Sequence, residues 1–233
     1  MKRHRILLLL FSISFIATTY ANEESLSPLD PNTGTLEQKA SYAIGVRIGQ
    51  DLQKRLLPEW DLNIALFLRG IQDALNNQVL GLSDEQMKES ISAYKTEMDQ
   101  KTIEKNQDFL KENAGQEGVK TTDSGLQYKI ITAGEGTSPT ADDKVKVHYK
   151  GSLLNGKEFD SSYKRGRPAE FPVKGVIKGW TEALQLMKPG AKWKLFIPSD
   201  LGYGKRGSPP NIPSNSILIF EVELLEVLPK ETK

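Results

Sequence analysis

The hydrophobic period of this chain changes once, near Gly115, and that change limits what it can fold into. Upstream, "TLEQKASYAIGVRIGQDLQKRLL" repeats apolar residues every fourth place, at Ala40, Ile44, Ile48, Leu52 and Leu56. That is the spacing of one helix face. Downstream, "KVKVHYKGSLL" and "ILIFEVELLEVL" alternate, the spacing of strands with one buried face. A pattern written for one period does not settle into the other. The chain therefore reads as an all-α part followed by a β-rich part.

In the helical part, Ser41, Gly45 and Gly49 form a row of small residues beside the apolar one. Glycine weakens a helix by roughly 1 kcal/mol. Two glycines one turn apart point to close approach of another helix, the alternative being an ordinary, loosened helix. Pro58 stops this helix, and a short second one follows in "NIALFLRGIQDALNN". Ser83 with Gln86 forms a capping box. No proline or glycine intervenes before Gly115, so a helix of about 31 residues, roughly 46 Å long, is predicted there. Met87, Ile91, Tyr94 and Met98 give it a heptad seam. Beyond Met98 it turns polar and reads as a solvated stalk. So small an apolar stock makes a weak core alone. That favours a homodimer over an intramolecular three-helix bundle.

Composition excludes several functions. The chain has 233 residues, a formal net charge of +1 and no cysteine. Disulfides, zinc–thiolate sites, thiol catalysis and a lipidated cysteine anchor are ruled out, and no basic footprint for nucleic acid is present. His4 and His148 are too few for a histidine-rich metal site, so no metal and no cofactor is expected. "MKRHR", then "ILLLLFSISFI", then small residues at Thr19 and Ala21 follow the grammar of a secretory signal with cleavage after Ala21. The apolar run falls short of the roughly 20 residues of a spanning helix. The expected organisation is a signal peptide at 1–21, a disordered lead-in at 22–34, a helical dimerisation domain with its long helix at 35–114, and a second domain at 115–230. "GQEGVKTTDSG" reads as the linker between them.

In the second domain, "LQYKIITAG", "KVKVHYKGSLL", "KEFDSS", "WKLFIPS" and "ILIFEVELLEVL" are predicted strands. Asn155-Gly156 marks a hairpin turn. One short helix is predicted at "WTEALQLM", closed by Lys188-Pro189-Gly190. Many antiparallel strands with one helix give an α+β fold, the helix packed on one concave sheet.

No nucleophile triad is visible. His148 reads as a surface strand residue, "GEG" at 134–136 as a turn without phosphate-loop context, and Lys164, Arg165 and Arg167 as a solvated loop. What remains is a set of aromatics: Tyr149, Phe159, Phe171, Trp180, Tyr203 and Phe220. Trp180 stands at a helix start after Gly179, and Tyr203 in a Gly/Pro-rich loop. An indole floor with loop aromatics around it is the profile of an apolar ligand pocket. Asp160, directly after Phe159, is either an acid at the pocket edge or a loop acid capping the serines that follow it.

"VHYKGSLLNGKEFDSSYKRGRP", "VIKGWTEALQLMKPGAKWKLFIPSDLGYG" and "ILIFEVELLEV" closely resemble the FKBP-type peptidyl-prolyl cis/trans isomerases, from about Gly125 to Leu228. "SYAIGVRIGQDL", the capped long helix and the N-terminal signal resemble the macrophage infectivity potentiator (Mip) subgroup. The resemblance implies an antiparallel half-barrel wrapped on one short helix, preceded by an all-α dimerisation region. It implies catalytic roles for Asp160 and Tyr203, and a pocket lined by Tyr149, Phe159, Arg165, Phe171, Val176, Ile177, Trp180, Ile212 and Phe220. The backbone N–H of Ile177 and the Tyr203 hydroxyl would each hold a substrate carbonyl. Ala169, Ser208 and Asn211 depart from the common family pattern at the rim and bear on ligand preference.

The implied function is acceleration of X-Pro bond rotation and help in folding exported proteins, in the periplasm or at the outer membrane, as a virulence-associated surface or periplasmic factor. Implied partners are proline-containing peptides, unfolded exported proteins, a second copy of the chain and macrolide inhibitors. A dimeric holdase chaperone with weak or no isomerase activity is the other reading.

Overall fold

The computed structural model describes residues 33–55, 61–78 and 81–228. The expected signal segment at 1–21, most of the lead-in at 22–34 and the helix stop at Pro58 lie outside the described residues. The chain divides into two compact units, Met1–Asp51 and Leu52–Lys233.

Helix α1 spans Leu36–Arg55. Thr35 and Gln38 cap it reciprocally: the Gln38 N–H donates to Thr35 Oγ1 at 3.2 Å, and the Thr35 N–H to Gln38 Oε1 at 2.9 Å. The small row is open, since a methyl built on Gly45 or Gly49 would meet nothing beyond the helix's own backbone within 4 Å. Ile44 and Ile48 on the neighbouring row are exposed.

In the second unit, α2 spans Ile64–Leu75, with Asn63 as its N-cap. Helix α3 spans Asp84–Ala114, 31 residues, and starts at the capping box of Ser83 and Gln86. Its length is set by that box and by Gly115, as the sequence indicates. The Tyr94 hydroxyl of α3 donates to the carbonyl of Asp61, in the segment that leads into α2, at 2.5 Å.

The second half of α3 departs from the expected solvated stalk. Asp99, Thr102, Asn106, Phe109, Leu110 and Asn113 recur at helical spacing on one half-buried face, and much of that face is docked on the β-rich part. Asn113 Nδ2 donates to Gln127 Oε1 at 2.8 Å, and Gln127 Nε2 donates to the Leu110 carbonyl at 2.8 Å. Phe109 packs against Phe196 with ring centroids 6.1 Å apart.

Seven strands follow among the described residues: β1 Val119–Thr121, β2 Gln127–Thr132, β3 Lys144–Leu153, β4 Glu158–Ser161, β5 Ala169–Pro172, β6 Lys192–Ile197 and β7 Leu218–Leu228. They form one antiparallel sheet in the order β1-β2-β6-β7-β3-β4, with β5 also paired to β3. The expected linker contains β1, and β5 falls in a stretch to which the sequence assigns no strand. Strands β3 and β7 carry the alternation that the sequence shows, every second residue being buried along most of their length. Helix α4, Lys178–Leu186, lays Trp180, Ala183 and Leu184 against the sheet. It begins two residues earlier than expected, with Ile177 as its N-cap. The α+β half-barrel on one short helix is the observed architecture.

Candidate active site

The β3–β4 hairpin sets one wall of the site. Its turn closes through Gly156, in the left-handed region at φ 82°, with the Gly156 N–H on the Leu153 carbonyl at 2.9 Å. This registers Gly151 opposite both Asp160 on β4 and Phe220 on β7. A Cβ at Gly151 would lie 2.6 Å from the Phe220 ring and 2.7 Å from the Phe159 ring. The glycine thus lets the two rings meet edge to face, centroids 5.4 Å apart.

Trp180 forms the floor. The N-terminus of α4 aims its indole into the bowl of the sheet, where it meets three rings edge-on: Tyr149 at 5.2 Å, Phe220 at 5.2 Å and Phe171 at 5.9 Å. Perpendicular rings suit aromatic quadrupoles and hold the indole in one orientation. Trp180 is 4% exposed, yet it lines a cavity of about 660 Å³ with Tyr149, Phe159, Asp160, Phe171 and Phe220. The buried indole Nε1–H has no hydrogen-bond partner among the described residues.

Val176, Ile177, Tyr203 and Ile212 complete the expected lining. The Ile177 carbonyl accepts the Trp180 and Thr181 N–H groups. Its own N–H, ahead of the helix, donates to no group among the described residues. Tyr203 sits 42% exposed in a loop, its hydroxyl likewise unengaged among the described residues.

Arg165 is the one expected pocket residue outside the cavity lining. It acts through two others. Tyr149 Oη donates to Asp160 Oδ2 at 2.5 Å, Arg165 Nη2 donates to Tyr149 Oη at 2.7 Å, and Arg165 Nη1 bonds Asp160 Oδ1. The Ser161 N–H adds a fourth bond, to Asp160 Oδ1 at 2.8 Å. Partial burial alone would raise the Asp160 pKa, but the hydrogen bonds of Tyr149 and Arg165 and the guanidinium charge outweigh it and hold the carboxyl below the usual aspartate range. Burial, with the Asp160 hydrogen bond, pushes the Tyr149 hydroxyl up. The pair of states is therefore carboxylate and neutral phenol across the physiological range.

Gly175, Ser208, Pro209 and Asn211 also line the cavity. None stood among the expected lining residues; Ser208 and Asn211 had been noted as departures at the rim. Ala169 packs against the hydrophobic core and is not part of the lining. His148, expected on the strand surface, is half-buried, stacked on Tyr163 at 4.5 Å and bonded to Ser162 Oγ at 3.0 Å.

Residues 135–225 match the model of the FKBP-type peptidyl-prolyl cis-trans isomerase family, and residues 37–130 match the domain amino-terminal to it. The chain is 46% identical over 203 residues to the FKBP-type 22 kDa peptidyl-prolyl cis-trans isomerase of Escherichia coli K12, covering 85% of this chain and 98% of that one. It is 39% identical over 237 residues to the peptidyl-prolyl cis-trans isomerase Mip of Coxiella burnetii, covering 97% and 99%. The crystal structure of FkpA from Escherichia coli superposes with a TM-score of 0.56 at 38% identity, covering 84% of this chain and 98% of that one. The chain belongs to the FKBP-type peptidyl-prolyl cis-trans isomerases.

Proposed function

We propose that the Trp180 cavity is where the isomerisation happens, with Asp160 and Tyr203 as catalytic residues and the other lining residues holding the substrate. The observation that carries this reading is an aromatic bowl in which Asp160, the only ionised wall group among the described residues, is held by Tyr149 and Arg165. An X-Pro bond turns slowly because rotation breaks amide resonance, at about 20 kcal/mol. The planar amide is the more dipolar form and gains more from water. Seating the proline on Trp180 removes that water and raises the planar state relative to the twisted one. The Ile177 N–H and the Tyr203 hydroxyl then hold substrate carbonyls, and the Asp160 carboxylate places negative potential beside the twisting amide. A tenfold acceleration takes about 1.4 kcal/mol and a neutral hydrogen bond gives roughly 0.5–1.5 kcal/mol, so burial and several bonds act together. The same cavity would take the family's macrolide inhibitors in competition with the peptide.

The helical part serves as the dimer interface. Leu66 is 71% exposed and Ile44 60% exposed, and a second copy of the chain would cover both. Export directed by residues 1–21 places the dimer in the periplasm or at the outer membrane, where unfolded exported proteins are its clients. The same exposed apolar residues favour the holdase reading, in which the helices grip clients and the pocket contributes little.

A protease-coupled assay on a short X-Pro peptide separates the two. The isomerase reading expects Asp160→Leu and Tyr203→Ala each to lower kcat/KM by about tenfold or more. Unchanged activity in both variants would remove these residues from the mechanism.

A further inference from the structure

Helix α3 is hydrogen-bonded to the loops around the cavity at Asn215. Asn215 is 3% exposed and sits in the left-handed region at φ 58°, a conformation asparagine tolerates better than most side chains. Three bonds converge on it. Its backbone N–H donates to the Gly204 carbonyl at 2.9 Å. Its side-chain Nδ2 donates to Asp99 Oδ1 on α3 at 3.1 Å. Its carbonyl accepts Asn106 Nδ2, also on α3, at 2.6 Å. The other carboxylate oxygen of Asp99 faces Lys95 at 3.2 Å, in an ion pair one turn apart on α3.

Both loops tied by Asn215 carry lining residues. Gly204 directly follows Tyr203. The Gly207 N–H returns to the Tyr203 carbonyl at 3.2 Å, and the Ser208 N–H to the Ile212 carbonyl at 2.7 Å. Gly207 is at φ 62°, and a Cβ there would stand 2.4 Å from the Ile212 carbonyl oxygen. The Tyr203 loop and the Ile212 loop are thus closed on each other and fastened to α3 at Asn215. A one-ångström displacement of a positioned group is enough to cost a large factor in rate.

We propose that Asn215 is a positioning residue for the isomerase reaction, and that the Asp99–Asn215–Asn106 junction couples α3 to the placement of Tyr203 and Ile212. This rests on the assignment of the Trp180 cavity as the reaction site. Asp99 is the position to change first, because it belongs to α3 and not to either loop, so its replacement alters the junction without changing a lining residue. The assay is kcat/KM on an X-Pro peptide with the full chain, well below its melting temperature, for Asp99→Ala, Asp99→Asn and Asp160→Leu. Asp99→Ala is expected to lower kcat/KM about fivefold to tenfold. Asp99→Asn keeps an oxygen acceptor for Asn215 and is expected to return kcat/KM to within about twofold of the unmodified chain. A residue that only stabilises the fold would lower the melting temperature and leave kcat/KM of the folded enzyme alone. Asp99→Ala within about twofold of the unmodified chain, or Asp99→Asn as impaired as Asp99→Ala, would overturn the coupling. If Asp160→Leu also retains full activity, the cavity assignment fails instead; if only Asp160→Leu loses activity, the cavity stands and the coupling falls.

Discussion

Asp160 has two neighbours with different tasks, and their removal should separate. Tyr149 donates to it from inside the cavity, while Arg165 supplies charge from outside. The depressed carboxyl pKa means the folded state favours the carboxylate. Its contribution is fully present above the ordinary aspartate value of about 3.9 and is lost as pH falls through the lower folded value. Peptide kcat/KM attributable to Asp160 should therefore be flat across neutral pH, with its acid limb below the ordinary carboxylate range. Arg165→Met removes two hydrogen bonds, one to Asp160 and one to Tyr149, and the compensating charge, so that limb should move to higher pH while the plateau falls, read from a pH–rate profile.

Gly151 offers a steric test of the same wall. Gly151→Ala would drive Phe159 and Phe220 apart, and overpacking of this kind costs about 1–3 kcal/mol. A lower denaturation midpoint together with at least a fivefold loss of kcat/KM is the expected result. The Asp160 role was only half legible in the sequence, because its two partners lie 11 positions before it and five after. Gly175, Ser208, Pro209 and Asn211 escaped because small and loop residues line a cavity without any periodic signal.

At the scale of elements, the predicted bounds of α3 held because a capping box and a glycine mark them in the sequence itself. The docked face was not legible because much of its packing is polar. Asn106, Asn113 and Asp99 make their contacts by hydrogen bonds, which no hydrophobic pattern reveals. Phe109 and Leu110, with Ile103, are the large apolar residues of that polar half and the available signal. Strands β1 and β5 are three and four residues long, and they border Gly- and Pro-rich segments that read as loop.

The docking also sets where the chain can be cut. A chain starting near Gly118 would uncover Phe196 and leave Gln127 without Asn113. A chain starting at Glu97 keeps the docked face. It should stay active on peptides, sediment as a monomer and refold a proline-limited protein poorly. A Glu97 chain that sediments as a dimer would place the interface in the β-rich part.

For the whole molecule, the proposed reading divides the work: the helical part would supply apolar faces for a second copy, and the β-rich part supplies the cavity. Gly45→Leu fills the small row of α1, where no described residue lies against it. It should convert the dimer to monomer in sedimentation while leaving peptide kcat/KM within about twofold, since nothing in the cavity changes.

Seating of proline on Trp180 is the central step of the proposed mechanism. Exchange NMR with an X-Pro peptide tests this in one sample, because the indole Nε1–H of Trp180, without a hydrogen-bond partner among the described residues, is a built-in reporter. Catalytic amounts of the chain should accelerate cis/trans exchange, and at saturating peptide the Trp180 indole resonance should shift and show contacts to the proline ring protons. Accelerated exchange with the Trp180 resonance unmoved and the proline ring in contact elsewhere would contradict it.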